Sequence, residues 1–453
     1  MRREYCGIFG AWNLENAAEA VYLGLFSLQH RGQESAGIVS GSGSGDEFQV
    51  RKGPGLVNDV FSADSLAELK GNSAIGHVRY STGGGCAPED AQPLVMRYRN
   101  SPIAAAHNGS IPSAENWRKK LEDEGMIFST STDIELIVKM MARRKGSWEE
   151  RLRGVLNTLR GAFSVLLFFP DRIIAVRDGY GFRPLSMGEK DGALFFSSES
   201  CAFDITGARF VRDIEPGEMV SVSAEGIKSI PLEKHTPSPC IFELIYFSRP
   251  DSDVFSKSVY ETRLNMGRQL ASERPVEADM VMPVPDSANI QALGYARESG
   301  LPLEFGFMRN HYIGRTFIEP HQHIRDLRVM IKHTPIRGAV KGRRVAVVDD
   351  SIVRGTTSRK LVKLIRDAGA SQVHLLITSP PIIHSCRYGI DTPDSSRLLA
   401  NRMSAGKMRG YLGVDSLSFL SMEGLLRACG GKDYCLSCFN NKYPLGRECE
   451  EET

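Results

Sequence analysis

Val347-Val-Asp-Asp-Ser-Ile-Val-Arg-Gly-Thr-Thr357 decides the fold of the second half of this 453-residue chain. The apolar run Val345–Val348 predicts a buried strand, followed by a polar loop. Leu361, Leu364, Ile365 and Ala368 then fall at i, i+3, i+4 and i+7, which predicts a helix with Gly369 placed as its C-cap. Val373–Thr378 predicts the next strand. Such strand–helix–strand units build parallel sheets, whose ligands sit at the carboxyl ends of strands, where this loop lies. Asp349 and Asp350, two acids at a strand end, suit ribose hydroxyls and a divalent cation, which takes oxygen ligands. Gly355 lets the backbone turn closely, and Thr356 and Thr357 sit near a helix N-terminus, whose N–H groups and dipole favour phosphate. The rival interpretation is an acidic surface turn capping a helix; the strand–loop–helix context argues against it.

The composition is that of a folded globular protein, 42% hydrophobic and 24% charged. Net charge is +2 with no basic block, so the sequence carries no nucleic-acid or acidic-membrane footprint. The longest apolar stretch, near Ala162–Pro170, falls far short of the roughly 20 residues that span a bilayer. The N-terminus is polar and leads into no signal-like apolar run, so the expectation is a soluble cytoplasmic protein. Nine cysteines in so long a chain do not form a disulfide framework; clustered cysteines in a reducing compartment are better explained by catalysis or metal binding. Length predicts two or three domains. Lys-His-Thr-Pro-Ser-Pro, within Glu233–Pro239, breaks the periodic segments on either side and places a boundary near residue 235.

Before that boundary, short strands mix with a few helices. Cys6–Trp12 predicts a strand, and Ala18, Val21, Tyr22, Leu25 and Leu28 predict a helix over Ala17–His30. Phe163–Phe169, Ile173–Val176 and Ala193–Ser197 predict further short strands, and Ser40–Gly45 a flexible loop. The pattern implies stacked sheets with helices outside.

Cys6-Gly-Ile-Phe-Gly begins after only five residues. A thiol is a good nucleophile once deprotonated, but it needs a base. If residues 1–5 are removed, Cys6 gains its own α-amine, which titrates at about 7.7–8.0 and can take the thiol proton. Taken alone, Cys6 fits a small buried cysteine in a strand better than a nucleophile. Gln29-His30-Arg31-Gly32 follows the first helix. Gly76-His77-Val78-Arg79-Tyr80-Ser81-Thr82 offers a guanidinium suited to a carboxylate. His107-Asn108-Gly109 offers an amide and an adjacent backbone N–H, the donors a tetrahedral oxyanion needs, and Asp133 suits an ammonium. Singly, His77 and His107 fit structural roles and Asn-Gly fits a turn.

In this order the segments resemble the glutaminase domain of the N-terminal-nucleophile amidotransferases. The resemblance runs from Cys6 to about residue 230 and includes Arg-Asp-Gly-Tyr-Gly-Phe-Arg-Pro at 177–184 and Ser-Ser-Glu-Ser at 197–200. It implies an αββα four-layer sandwich. Cys6 would be the nucleophile, Asn108 and Gly109 the oxyanion hole, and Arg79 and Asp133 the holders of glutamine's carboxylate and amine. Arg31 and Gly32 would line the site. The Asp349–Thr357 loop resembles the type I phosphoribosyltransferases, a parallel-sheet fold. Together with Tyr246-Phe-Ser-Arg-Pro-Asp-Ser252, Pro283-Val-Pro-Asp-Ser287, Tyr312-Ile-Gly-Arg-Thr-Phe-Ile318 and Asp415-Ser-Leu, the whole chain resembles the phosphoribosyl pyrophosphate amidotransferases, which open purine synthesis.

That resemblance implies a propeptide over 1–5, a glutaminase domain over 6–235 and a phosphoribosyltransferase domain over 236–453. Ser287, Asp349 and Asp350 would surround Mg²⁺ and the pyrophosphate-bearing ribose. Ser351 would join them, Arg354, Gly355, Thr356 and Thr357 would form the 5′-phosphate loop, and Arg315 and Lys332 would come from a closing flap. Ammonia from glutamine would displace pyrophosphate at ribose C1, giving 5-phosphoribosylamine. Purine nucleotides would act as feedback inhibitors on a homotetramer or homodimer. Cys435-Leu-Ser-Cys438 alone fits zinc, an iron–sulfur cluster or a dithiol. The resemblance selects a [4Fe–4S] cluster on Cys240, Cys386, Cys435 and Cys438, which would anchor the C-terminal tail. Cys86, Cys201, Cys429 and Cys449 match no ligand position. Three departures stand out: a leader ending in Tyr5, His311 in the flap where Arg or Lys is usual, and Asp90 and Gly179 in place of Asn and Pro, with local effects expected of the last two. A sugar-phosphate amidotransferase of another kind would lack the Asp349–Thr357 loop. A non-catalytic sugar-phosphate sensor would not need the glutaminase set.

Overall fold

The computed structural model describes residues 4–42, 47–81, 87–309 and 333–446. The first half contains two antiparallel sheets. One has seven strands, in the order 209–213, 186–190, 193–197, 4–12, 73–81, 35–41 and 49–54. The other has six, in the order 226–231, 218–223, 172–177, 162–169, 101–110 and 94–98.

Period-two alternation sorts their side chains into layers. Ile8, Trp12, Ile75, Ala104, Ala106, Leu166 and Phe168 fill the space between the sheets. Phe9, Ala11, Ala74 and Val78 turn to the other side, under the helix Ala17–Ser27. Ile103, Ala105, Val165 and Leu167 pack on the opposite outer face against the helices Asp133–Ala142 and Trp148–Leu156. The result is the expected αββα sandwich. The strand Ala162–Phe169 is buried along its whole length because helices and sheet cover both its faces. The predicted first helix stops at Ser27, and Gln29–Arg31 continues as a single 3₁₀ turn.

The second half is built on a parallel sheet in the order 280–283, 344–349, 372–377 and 416–419. The amphipathic helix Thr356–Asp367 buries Leu361, Val362 and Ile365 against one face, with Val345, Val347 and Leu375. The helices Val259–Glu273 and Asn289–Ser299 cover the other face, with Met266, Leu270, Ala292 and Tyr295. That second core also takes in Ala162 and Phe182 of the first half, so apolar packing runs across the junction. The connection near residue 235 lies along the first half: His235 N donates to Gly179 O (3.2 Å) and Ser238 N to Tyr180 O (2.8 Å). Among the described residues no helix is long and apolar enough to cross a membrane.

Candidate active sites

Strand register assembles the first site. Cys6 lies opposite Arg79 on the neighbouring strand and is fully buried. Cys6 shares the inward parity of Ile8, Arg79 that of Ile75, and Asn108 that of Ala104 and Ala106, so all three belong to the layer between the sheets. His77 follows the same parity, and its Nε2 meets His107 O at 3.1 Å, tying one sheet to the other. Burial, and then the Arg79 charge, push His77 down to about 3; burial, and then Arg183, push His107 down to about 3. Both are therefore neutral at physiological pH; His77 keeps one ring contact, whereas among the described residues neither ring nitrogen of His107 has a hydrogen-bond partner.

Asn108 is fully buried, and among the described residues neither its Oδ1 nor its Nδ2 has a hydrogen-bond partner. An unpaired buried amide costs about 1–3 kcal/mol, so it marks a place where a ligand completes the bonding. Gly109 follows at φ +142°, and a Cβ there would meet Ala162 O at 1.9 Å, so only glycine fits. Asp133 opens its helix, and its Oδ2 accepts from Ile111 N at 2.8 Å just past the same strand end. Asp90, of which only local effects are expected from the sequence, lies beside Arg79. Buried, it meets Arg79 Nη2 at 3.4 Å and accepts from Ser131 N (2.8 Å) and Ser131 Oγ (2.6 Å).

Arg31 is placed differently from a simple ligand. Its Nε donates to Cys6 O at 3.1 Å. Its Nη2 forks onto Glu243 at 2.8 and 3.0 Å, and its Nη1 pairs with Glu199. Burial alone would lower Arg31, but Glu243 and Glu199 outweigh it and hold the guanidinium above its usual value. Glu199 also meets His30 Nε2 (2.7 Å), Arg249 N (2.9 Å) and Ser252 Oγ (2.8 Å), while Arg183 Nη1 reaches Glu243 at 3.1 Å. Burial would raise both acids, yet the facing His30 and arginine charges keep them below the ordinary carboxylate range. This buried ion cluster joins the two halves. One local sign of it existed: Glu243 is the lone acid in the apolar run 240–247.

The second site lies where the strand Arg344–Asp349 ends. Asp349 and Asp350 are buried, Asp349 Oδ1 accepts from Asp350 N at 2.9 Å, and Asp350 bonds to Ser287 and Ser351. Burial, and then the Asp350 charge, raise Asp349; burial also raises Asp350, against the pull of Ser287, Ser351 and Arg263. Two buried carboxylates that resist ionising together suit a cation, and Mg²⁺ typically takes one or two carboxylates with substrate oxygens completing the shell. Gly355 (φ +72°) caps the helix that starts at Thr356, and a Cβ there would sit 2.5 Å from Leu399 Cδ2. A cavity of about 590 Å³ is lined by Ser287, Asp349, Asp350, Arg354 and Thr356, and also by His30, Arg31 and Tyr80 of the first half. Arg315, Lys332 and His311 lie outside the described residues.

The four cysteines converge. Cys240 and Cys435 form a parallel bridge, Cys435 N donates to Pro239 O (2.9 Å), and Ile383 N and His384 N both donate to Cys438 O (3.0 Å). Cys386 Sγ accepts from Tyr388 N and Ile390 N, each at 3.3 Å. Burial raises Cys438 first, and then the charges of Cys435, Cys386 and Cys240 raise it further, so all four sulfurs share one environment. Among the described residues no three His, Cys, Asp or Glu side chains converge tightly enough for a single ion. The two N–H donors to the Cys386 sulfur and the surrounding Phe182, Tyr388 and Phe439 suit buried thiolate ligands, and they do not by themselves separate zinc from an iron–sulfur group.

A glutamine amidotransferase domain model matches residues 77–204. Amidophosphoribosyltransferase 1, chloroplastic, of Arabidopsis thaliana is 48% identical, over 98% of this chain and 79% of that protein. The amidophosphoribosyltransferase of Bacillus subtilis is 46% identical, over 97% and 94%. The chain belongs to the amidophosphoribosyltransferase family. It is accordingly a transferase with a glutamine amidotransferase unit in its first half. Among solved structures, the B. subtilis glutamine phosphoribosylpyrophosphate amidotransferase complexed with ADP and GMP superimposes with a TM-score of 0.91 at 45% identity, covering 97% of each chain. The structure described as the allosteric regulatory enzyme of purine biosynthesis gives 0.93 at 46%, covering 97% of this chain and 96% of the other. The family's two-part architecture therefore holds along almost the whole chain.

Proposed function

We propose that this chain makes 5-phosphoribosylamine from glutamine and phosphoribosyl pyrophosphate, in two reactions at two sites, as the first step of purine synthesis. The Cys6 thiolate attacks the glutamine side-chain amide. Asn108 Nδ2 and the Gly109 N–H donate to the oxyanion, while Arg79 and Asp133 hold the substrate's carboxylate and ammonium. Because the Arg31 guanidinium is committed to Glu199 and Glu243, the share of Arg31 and Gly32 in the site falls to their backbone. Removal of residues 1–5 turns the Cys6 nitrogen from a strand amide into the α-amine that accepts the thiol proton. Water then releases glutamate.

Ammonia reaches the second site and attacks ribose C1 as pyrophosphate leaves. Ser287, Asp349 and Asp350 would hold Mg²⁺, which when bound neutralises charge on the leaving group. Ser351 and Arg354–Thr357 bind the 5′-phosphate end, and Arg315 and Lys332 close over it. Cys240, Cys386, Cys435 and Cys438 hold a structural [4Fe–4S] cluster that fixes the C-terminal tail. The functional division falls at residue 235, with purine nucleotides as feedback ligands of a cytoplasmic homotetramer or homodimer.

One observation carries this assignment: a single cavity has the Asp349–Asp350 loop on one wall and His30, Arg31 and Tyr80, neighbours of the Cys6 strand, on the other. Its test pairs N-terminal sequencing with pyrophosphate release driven by glutamine or by ammonia. The expected result is a mature chain starting at Cys6 and active with both. A chain still carrying residues 1–5 and fully active with glutamine would overturn the α-amine as base.

A further inference from the structure

Asp90 sits among the charged groups assigned to the substrate's amino-acid end, yet that assignment gives it no task. Its carboxylate is buried at the end of the 3₁₀ turn Pro88–Asp90. Oδ1 accepts from Ser131 N at 2.8 Å; Oδ2 accepts from Ser131 Oγ at 2.6 Å and faces Arg79 Nη2 at 3.4 Å. Ser131 lies two residues before Asp133, in a segment that is stiff for other reasons. Arg118 donates to Thr130 O (2.7 Å) and Thr132 O (3.0 Å), and Glu135 accepts from Ser129 N (2.8 Å) and Thr130 N (2.7 Å). Asp90 therefore ties Arg79, on one sheet, to the start of the helix that carries Asp133.

Two physical consequences oppose each other. The tie fixes the spacing of the guanidinium and the carboxylate that would grip an α-amino acid, and preorganisation of that kind favours binding. The Asp90 charge, however, already occupies one side of Arg79. A carboxylate arriving on Arg79 meets a second negative charge in a site with little water to screen it, and like charges close together disfavour each other.

We propose that Asp90 is a positioning residue that sets the glutamine affinity: it holds Arg79 in register with Asp133 while partly neutralising Arg79 toward the substrate carboxylate. The inference rests on Arg79 and Asp133 being the amino-acid clamp.

Asp90→Asn removes the charge but keeps the anchor on the Asp133 segment: its amide oxygen still accepts from Ser131 N, while its NH2 faces Arg79 Nη2 and no longer accepts from it. Asp90→Ala removes both. The measurement is the glutamine KM and kcat at saturating phosphoribosyl pyrophosphate, normalised to ammonia-dependent synthesis in the same preparation. L-glutamine methyl ester, which lacks the α-carboxylate, serves as the comparison substrate. In Asp90→Asn the glutamine KM is expected to fall about tenfold, the scale of one neighbouring like charge, with kcat little changed and no gain for the ester. Asp90→Ala is expected to raise the glutamine KM. An unchanged or higher KM in Asp90→Asn, or an equal gain for the ester, overturns the proposal. Arg79→Ala serves as the control on the clamp itself: if it leaves the glutamine KM untouched, the clamp assignment fails and the inference falls with it.

Discussion

Replacing Asn108 by alanine sets activity and stability against each other. The Asn108 amide is fully buried, and among the described residues neither of its polar atoms is bonded. In the free protein it therefore carries a desolvation penalty of about 1–3 kcal/mol that alanine would relieve. Against that relief stands the small cavity alanine leaves, of similar size and opposite sign. Net stability should shift by no more than about 1 kcal/mol, or roughly 2–4 °C in Tm for a unit of this size. Catalysis has no such compensation. Loss of one oxyanion donor costs about 10²–10³ in kcat, near 2.7–4 kcal/mol of transition-state stabilisation. The assay follows glutamate release and pyrophosphate release with glutamine, then pyrophosphate release with ammonia alone. The expected pattern is a fall of two to three decades in glutamine-driven kcat (roughly the figure just given), an unchanged glutamine KM and intact ammonia-driven synthesis. Asn108→Asp should be worse than alanine, since it offers a negative charge to a developing oxyanion. A glutamine-driven kcat within tenfold of the parent, or a parallel loss with ammonia, would refute the reasoning.

Glu243→Ala strips Arg31 and Arg183 of a shared buried partner. It should cost about 3–5 kcal/mol, seen by calorimetry as a drop of roughly 10 °C in Tm, and no drop would show the ion cluster to be energetically idle. His77 and His107 have folded values near 3 against 6.5 when unfolded, so the stability they contribute is full above pH 6.5 and is withdrawn as pH falls toward 3. At pH 5 each should withdraw about 2 kcal/mol; denaturant titrations at pH 7.5 and 5 test this, and equal stabilities would contradict it. Anaerobically purified protein should contain tightly bound iron and acid-labile sulfide, both lost in Cys435→Ser. Iron-free but folded parent protein would remove the cluster assignment.

How much of this was legible in the sequence depended on distance along the chain. The Asp349–Thr357 loop declared itself because strand, loop and helix are contiguous and each has its own period. Cys435 and Cys438 stood out for the same reason. Asn108-Gly109 looked locally like any turn; only strand parity and the pairing of two sheets put it in one layer with Cys6. The Arg31 partners Glu199 and Glu243 lie 168 and 212 positions away, and no local pattern encodes such a pairing. Asp90 stands in the sequence only as a replacement for Asn, with nothing nearby to suggest more than a local effect. Its consequence comes from Ser131 and Arg79, which the fold brings to it from opposite sides.

The junction joins the two halves through buried charge as well as through apolar packing. A buried ion cluster is a poor source of stability, since desolvating each charge offsets most of the attraction. What it supplies well is register, because a guanidinium fork accepts only one geometry. Arg31 illustrates this: one nitrogen holds the Cys6 carbonyl, and two others hold acids that belong to different halves. Glu243 follows directly on Phe242, which lines the same cavity as the Asp349–Asp350 loop. Any slip between the halves would therefore break the Arg31 contacts that hold the Cys6 strand against that cavity wall. Apolar packing of Ala162 and Phe182 into the second core opposes such a slip without fixing its direction; the charged contacts fix the direction.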